Sequence, residues 1–297
     1  MPDVVQDERT IGALLRRLTA DFRAAGLDSP GNDARRLLAA AAGLTPAQLL
    51  AAPAGQILPR EHADTLEGYR RCRLAREPVS RILGRRDFYG RRFVVSPATL
   101  DPRPDSETLI TTALAAARER PGPLRILDVG TGTGCLLITL LCELPSATGV
   151  GTDISSDALD TAAANAARLG VADRVRWQRA DLLAGIAGSF DILVCNPPYI
   201  PSAVIPTLDP EVRAYDPIGA LDGGSDGLDL YRRLLPGISA VIPDGWIILE
   251  AGYDQAPAVA ALLASPPHST YIQDIALHLD VTGRQRCVAA RTRALSR

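Results

Sequence analysis

The sequence predicts an α/β fold, a mostly parallel sheet with helices on both faces, preceded by a smaller helical domain. Three observations support this. Apolar strand-like runs alternate with helix-like runs from about residue 125 onward, the pattern of a sheet covered on both sides. Two of those runs end in abrupt turns, one rich in glycine and one in proline. Residues 10–77 instead carry helical spacing. A length of 297 residues suits two domains. The expected divisions are 1–78 for the helical domain, 79–100 for a β-hairpin linker and 101–297 for the α/β domain.

In the helical domain, Ile11, Leu14, Leu15, Leu18 and Phe22 follow one helical face. Leu27 and Ser29-Pro30-Gly31 interrupt, and a second helix covers about 32–42. Thr45-Pro46 opens a third, short helix with proline at its first position, and a fourth runs from Arg60 to about Arg76. Such a bundle serves either as a support for the larger domain or as a docking surface for a protein; periodicity favours neither. Gly84 and Gly90 mark turns of the hairpin linker. Arg81, Arg85, Arg86, Arg91 and Arg92 form a patch there that suits an acidic partner or ribosomal RNA, although a solvated hairpin face is the simpler account of most of them. The segment Pro102 to Glu107 starts a helix that reaches about Glu119.

The first strand of the sheet leads into Ile126-Leu127-Asp128-Val129-Gly130-Thr131-Gly132-Thr133-Gly134-Cys135, and a helix-like run follows from Leu136 to Leu144. Glycines here permit a tight turn and let a ligand approach the backbone. The spacing is G-x-G-x-G. The dinucleotide fingerprint would need glycine where Cys135 stands, and a phosphate-gripping P-loop would need a lysine, which the chain lacks. Asp128 is placed to accept hydrogen bonds from a cationic or amino-bearing ligand, above a cradle of Gly130, Thr131, Gly132, Thr133 and Gly134. A second strand, Ala147 to Gly151, leads to Asp153, where an acidic residue can hold both hydroxyls of a ribose, with Ile154 beside it. Ser155 suits the N-cap of a helix through Leu169, closed by Gly170. A third strand, Arg174 to Gln178, leads to Asp181-Leu182, whose polar group and adjacent backbone amide suit an adenine edge. Three strand ends converge on an adenosine-like ligand without a phosphate clamp. S-adenosylmethionine fits that description.

A further apolar run, Phe190 to Cys195, ends in Asn196-Pro197-Pro198-Tyr199. This corner suits chemistry on a planar NH2 group, whose nitrogen is a poor nucleophile while its lone pair is conjugated. The Asn196 side-chain oxygen and a backbone carbonyl of the Pro-Pro segment can each accept one N–H and fix the attacking geometry. The prolines stiffen the turn and remove competing donors, and Tyr199 offers a flat face for packing. The glycine-rich loop Gly223-Gly224-Ser225-Asp226-Gly227, with Tyr215-Asp216-Pro217 before it, is long enough to close over a substrate or to serve as a plain crossover. Arg103 either orients that wall or forms a structural ion pair. Strand-like runs at 245–250, 270–276 and 285–290 complete the sheet, the last two as an antiparallel pair.

Composition narrows the classes. The absence of lysine excludes Schiff-base chemistry. A formal net charge of −2 argues against a nucleic-acid surface covering the whole protein. Cys72, Cys135, Cys142, Cys195 and Cys287 lack C-x-x-C spacing and read as reduced, buried thiols. His62, His268 and His278 form no recognisable metal cluster. No signal peptide and no run of about twenty apolar residues is seen, so a cytoplasmic location is expected.

Taken together, the chain resembles the HemK-like (PrmC) methyltransferases that modify a glutamine in peptide chain release factors. The resemblance runs over nearly the whole chain. It is carried by Pro78-Val79, Ile82-Leu83-Gly84, Phe88-Tyr89-Gly90, Phe93, Pro102-Arg103-Pro104-Asp105-Ser106-Glu107-Thr108, the glycine loop and Asp153-Ile154-Ser155. The Asn-Pro-Pro-Tyr motif, Tyr215-Asp216-Pro217, Ala220-Leu221, Gly223-Gly224, Asp226-Gly227-Leu228, Tyr231-Arg232 and Gly283-Arg284-Gln285-Arg286 complete it. Ser80-Arg81 and Asp101 depart from the family pattern, at the domain junction. The resemblance implies a seven-stranded Rossmann-like methyltransferase domain using S-adenosylmethionine and releasing S-adenosylhomocysteine. It implies methyl transfer to the glutamine amide nitrogen of a Gly-Gly-Gln motif, with Asn196, Pro197, Pro198 and Tyr199 around the substrate. It also favours the docking role for the helical domain, class 1 release factors as partners, on or off the ribosome, and neither membrane nor sequence-specific nucleic-acid binding. The Asn-Pro-Pro-Tyr motif alone leaves open an amino-methyltransferase acting on adenine or cytosine in nucleic acid, which would need a base-flipping groove and a basic track.

Overall fold

The computed structural model describes residues 8–293, and the chain divides between Gly84 and Arg85 into two compact units. The first is helical: α1 (Ile11–Ala24), α2 (Pro30–Ala41), α3 (Pro46–Ala51), α4 (Arg60–Leu74) and α5 (Val79–Leu83). Ile11, Leu14, Leu18 and Phe22 are buried, as their spacing predicts, in one cluster with Leu37, Leu38 and Leu66. Thr45 closes a capping box with Gln48, so two otherwise orphaned N–H groups at the start of α3 are satisfied. Ser29-Pro30-Gly31 does not interrupt as expected. Pro30 is the first residue of α2, where a missing N–H sacrifices no hydrogen bond.

The second unit holds a seven-stranded sheet in the order β5-β4-β3-β6-β7-β9-β8. Its strands are β3 (Arg125–Val129), β4 (Thr148–Asp153), β5 (Val175–Arg179), β6 (Ile192–Cys195), β7 (Gly245–Glu250), β8 (Ile272–Leu279) and β9 (Gln285–Thr292). The first five positions run parallel, and β9 pairs antiparallel with both β7 and β8. The longer helices are α6 (Glu107–Arg118), α7 (Cys135–Glu143), α8 (Ser156–Arg168), α9 (Asp229–Val241) and α10 (Ala256–Ala264). Successive side chains of a strand point to opposite faces. Ile126, Val194 and Ile248 accordingly join one buried cluster with α6 and α7, whereas Leu127, Leu193 and Leu249 join another with α9 and α10. The expected alternation of strands and helices breaks between β5 and β6, where no helix lies; β8 and β9 also follow each other directly, as the expected antiparallel pair.

The stretch 79–100 is not a separate linker. Val79–Leu83 is helix in the first unit, ended by Gly84 at φ 63°. The hairpin strands β1 (Arg85–Phe88) and β2 (Arg91–Val94) belong to the second unit. Tyr89 and Gly90 both take positive φ, the two-residue turn whose twist matches the strands. Phe88 and Phe93 meet edge to face at 6.2 Å between centroids and are buried in the α6–α7 cluster. Their burial anchors the hairpin to the second unit. Patch arginines are engaged within the second unit: Arg86 pairs with Asp101, Arg91 with Glu143 and Arg92 with Asp87. Asp101, a departure from the family pattern, is thus buried with a cation beside it.

Candidate active site

Strand register assembles the site. Val129 pairs with Thr152 on one side and with Cys195 on the other, and Cys195 pairs with Leu249. The next residue on each strand therefore forms a row: Asp153, Gly130, Asn196 and Glu250, neighbours spaced about 4.8 Å apart across the ladder. The three predicted loops leave the sheet at this one edge, at the C-terminal ends of parallel strands, where α/β folds place their ligands.

The glycine loop is held by its own backbone. The N–H groups of Gly130 and Thr131 both donate to Thr152 O, at 2.9 and 2.8 Å. Gly130, Gly132 and Gly134 all have positive φ. Their surroundings differ. A Cβ on Gly134 would lie 2.7 Å from Ile138 Cδ1 and 3.2 Å from both Ala162 and Trp177, so this glycine is needed for packing. A Cβ on Gly130 or Gly132 would meet nothing within 4 Å; both face open space. Thr131 donates to Asp128 Oδ2 at 2.6 Å. Thr133 O accepts from Asn165 Nδ2, and Asn165 also exchanges two hydrogen bonds with Val94, so one buried amide joins β2 to the glycine loop.

Asp128 is fully buried, and its Oδ1 has no hydrogen-bond partner among the described residues. Burial raises its pKa to about 7, against the Thr131 hydrogen bond. Asp153 accepts from the Gly132 N–H at 2.9 Å and the Ser155 N–H at 3.0 Å, so it shapes the glycine loop as well as ending β4. Ile154 beside it is exposed, an apolar surface next to a carboxylate. Asp181 differs from expectation. Arg233 Nη2 donates to both of its oxygens, at 2.9 and 2.7 Å, an ion pair that the sequence does not announce. Leu182 takes φ 53°, a strained value for leucine.

At Asn196, Nδ2 donates to Ser106 Oγ at 3.3 Å, while Oδ1 accepts nothing from the described residues. Tyr199 O accepts from Gln255 Nε2, and the Pro198 carbonyl lies against Gly223, where a Cβ would come within 2.8 Å. Gly223 and Gly227 both pack against the backbone of the motif, Gly223 on Pro198 and Tyr199 and Gly227 on Tyr199. The glycine-rich loop therefore packs closely against the backbone of the motif. Arg103 binds Asp216 at 2.7 Å, which ties the Pro102–Thr108 segment to the stretch before that loop.

Sequence inspection missed Glu250. It is 1 % exposed, and its Oε1 accepts from Tyr199 OH at 3.3 Å. Burial raises its pKa to about 7, opposed by Ser106 and Arg286. The signal was present: a glutamate closing the apolar run Trp-Ile-Ile-Leu at the same strand-end level as Asn196.

The family comparisons agree with this geometry. Residues 13–84 match the PrmC N-terminal domain model and residues 94–205 the methyltransferase small domain model. The release factor glutamine methyltransferase of Bradyrhizobium diazoefficiens is 45 % identical over 286 residues, covering 95 % of each chain. The chain belongs to the release factor glutamine methyltransferase family. The family member from Rhodospirillum rubrum is 44 % identical over 96 % of this chain and 86 % of its own. Among solved structures, the hMettl16 catalytic domain in complex with a MAT2A 3′UTR hairpin shares the fold, with a TM-score of 0.55 at 15 % identity over 68 % of this chain and 74 % of that one. Among the described residues, no helix is long and apolar enough to cross a membrane.

Proposed function

We propose that this protein transfers a methyl group from S-adenosylmethionine to the side-chain amide nitrogen of the glutamine in the Gly-Gly-Gln motif of class 1 peptide chain release factors. The observation that carries the proposal is the row of strand ends, which sets Asn196 Oδ1, unpartnered among the described residues, one strand from the glycine loop.

The cofactor fits the residues present. The space above Gly130 and Gly132 admits a ligand against bare backbone. The buried, unpartnered Asp128 Oδ1 suits a cationic ligand, whose charge would return Asp128 to its ionised form. Asp153 and Ile154 offer a polar edge for a ribose and an apolar face for a base. When bound, the cofactor supplies an electrophilic methyl carbon on a sulfonium, so the protein needs no nucleophilic side chain.

The work of the chain is alignment. Asn196 Oδ1 accepts one N–H of the substrate amide and the Pro197 carbonyl accepts the other. Held this way, the nitrogen turns its lone pair toward the methyl carbon. Such positioning can contribute up to about 7–11 kcal/mol. Both acceptors bind more strongly as positive charge grows on the nitrogen, which lowers the barrier and not merely the substrate's ground state. Asn196 is no general base, because a neutral amide is barely basic; water serves as the acceptor of the departing proton. The N-terminal unit offers the docking surface for the release factor. The partner is met in the cytoplasm, with or without the ribosome.

Incubation with methyl-labelled cofactor and, separately, a release factor, DNA and RNA tests this. Label is expected on the glutamine of the release factor. Label on adenine or cytosine, with none on protein, would refute the proposal and favour the nucleic-acid alternative.

A further inference from the structure

Ser106 meets Asn196 from 90 residues away in sequence, and the turn that carries it is pinned on both sides. We propose that the turn Arg103–Ser106 is a brace that positions the Asn196 carboxamide. Asp216 holds it at Arg103, Arg286 holds it at Asp105, and Ser106 takes the amide nitrogen, so that Asn196 Oδ1 is left for the substrate. This rests on the glutamine-methylation proposal above.

The turn is stiff by construction. Pro104–Ser106 is a single 3-10 turn ahead of α6 with proline at its first position, and the Ser106 N–H donates to Arg103 O at 3.1 Å. On one side, Arg103 Nη2 donates to Asp216 Oδ2 at 2.7 Å, and Asp216 Oδ1 accepts the Asp101 N–H at 3.4 Å. On the other, Asp105 Oδ2 lies 3.0 Å from Arg286 Nη2. Arg286 is itself set by the sheet: its carbonyl accepts the Ala251 N–H at 2.9 Å, and its Nη1 donates to Ala251 O at 3.4 Å. Strand β7 lies between β9 and β6, so the turn spans the end of β7 before Ser106 reaches Asn196. Each ion pair joins a half-exposed residue of the turn to a buried partner, where water screens the charges less than on an open surface. A carboxamide presents an acceptor at one end and donors at the other. With Nδ2 held by Ser106 Oγ at 3.3 Å, Oδ1 is the end that can accept a substrate N–H. Arg103, Asp105, Asp216 and Arg286 need not touch the substrate. They are positioning residues that act through Ser106.

The test uses the full chain with S-adenosylmethionine and a release factor, comparing D105N, R103A, R103K, S106A and the double variant D105N/S106A. D105N removes the charge and keeps the shape of the side chain. D105N, R103A and S106A are each expected to lower kcat by about 10–100-fold, the scale of a small misplacement at a reacting centre. KM for the release factor and the cofactor Kd should change less than about 3-fold. R103K, which keeps a cation opposite Asp216, should turn over faster than R103A. The double variant should stay within about 2-fold of the slower single one, because Asp105 acts through Ser106. The urea midpoint of D105N should match that of the wild type, since Asp105 is half exposed and Asp280 remains 3.6 Å from Arg286. Wild-type kcat in D105N or S106A, a loss seen only in KM or in stability, or single losses that multiply in the double variant would overturn this inference while leaving glutamine methylation intact. A wild-type enzyme that labels no glutamine would overturn both.

Discussion

Gly132 and Gly134 lie in one loop, yet they should fail in opposite ways when each is replaced by alanine. In Gly134→Ala, the new methyl group would lie 2.7 Å from Ile138 Cδ1, with Ala162 and Trp177 at 3.2 Å, at a backbone φ of 78°. Left-handed backbone costs an L-residue about 1–2 kcal/mol. Overpacking adds about 1–3 kcal/mol. The variant should thus lose about 2–5 kcal/mol of stability, read by urea unfolding of the cofactor-free protein. In Gly132→Ala the methyl group meets no protein atom within 4 Å, and only the φ of 55° is penalised. Its stability should fall by about 1–2 kcal/mol. Its cofactor affinity, read by titration calorimetry, should instead fall at least about 10-fold, or ~1.4 kcal/mol, because the methyl occupies ligand space. Equal destabilisation of the two variants, or normal cofactor binding by Gly132→Ala, would refute the division of the loop into a packed half and a ligand half.

Other substitutions probe the rest of the site. Asn196→Ala should lower kcat about 100–1,000-fold, as loss of a transition-state hydrogen bond does, while the cofactor Kd stays within a few-fold; near-normal turnover would remove Asn196 from the chemistry. Asp153→Ala should weaken cofactor binding in calorimetry, and more than a ribose contact alone would explain, because Gly132 and Ser155 lose their shared acceptor. An unchanged affinity would exclude Asp153 from the cofactor site. Glu250→Gln should alter the pH dependence of stability. Glu250 titrates at about 7 in the fold against 4.5 unperturbed, so the folded state holds its proton longer than the unfolded state does. Stability therefore falls as pH rises from about 4.5 to 7, by about 3 kcal/mol at most, and is level above that range. Urea unfolding at pH 5 and pH 8 should show this loss shrinking in the variant; an identical loss would mean that Glu250 is not the titrating group.

Much of this is legible along the chain. The strands, the glycine loop, Asp128, Asp153 and the Asn-Pro-Pro-Tyr corner each announce themselves locally, through apolar runs and through residues whose backbone preferences few other positions tolerate. The helical face of Ile11, Leu14, Leu18 and Phe22 is equally plain, because 3.6-residue periodicity is a property of one segment. The hairpin too can be read from its turn residues, but its allegiance cannot. Nothing near Phe88 and Phe93 in sequence reveals the α6–α7 surface that buries them.

What only the tertiary structure decided is who stands beside whom. Register, not sequence distance, sets Glu250 next to Asn196, while packing brings Ser106 to the amide's nitrogen and the Gly223–Gly227 loop against the motif's backbone. Arg233 likewise claims Asp181 from a separate helix. A strand's pattern fixes which of its residues face the core. It carries no record of which strand will pair with it, because that choice belongs to the shared burial of the whole sheet.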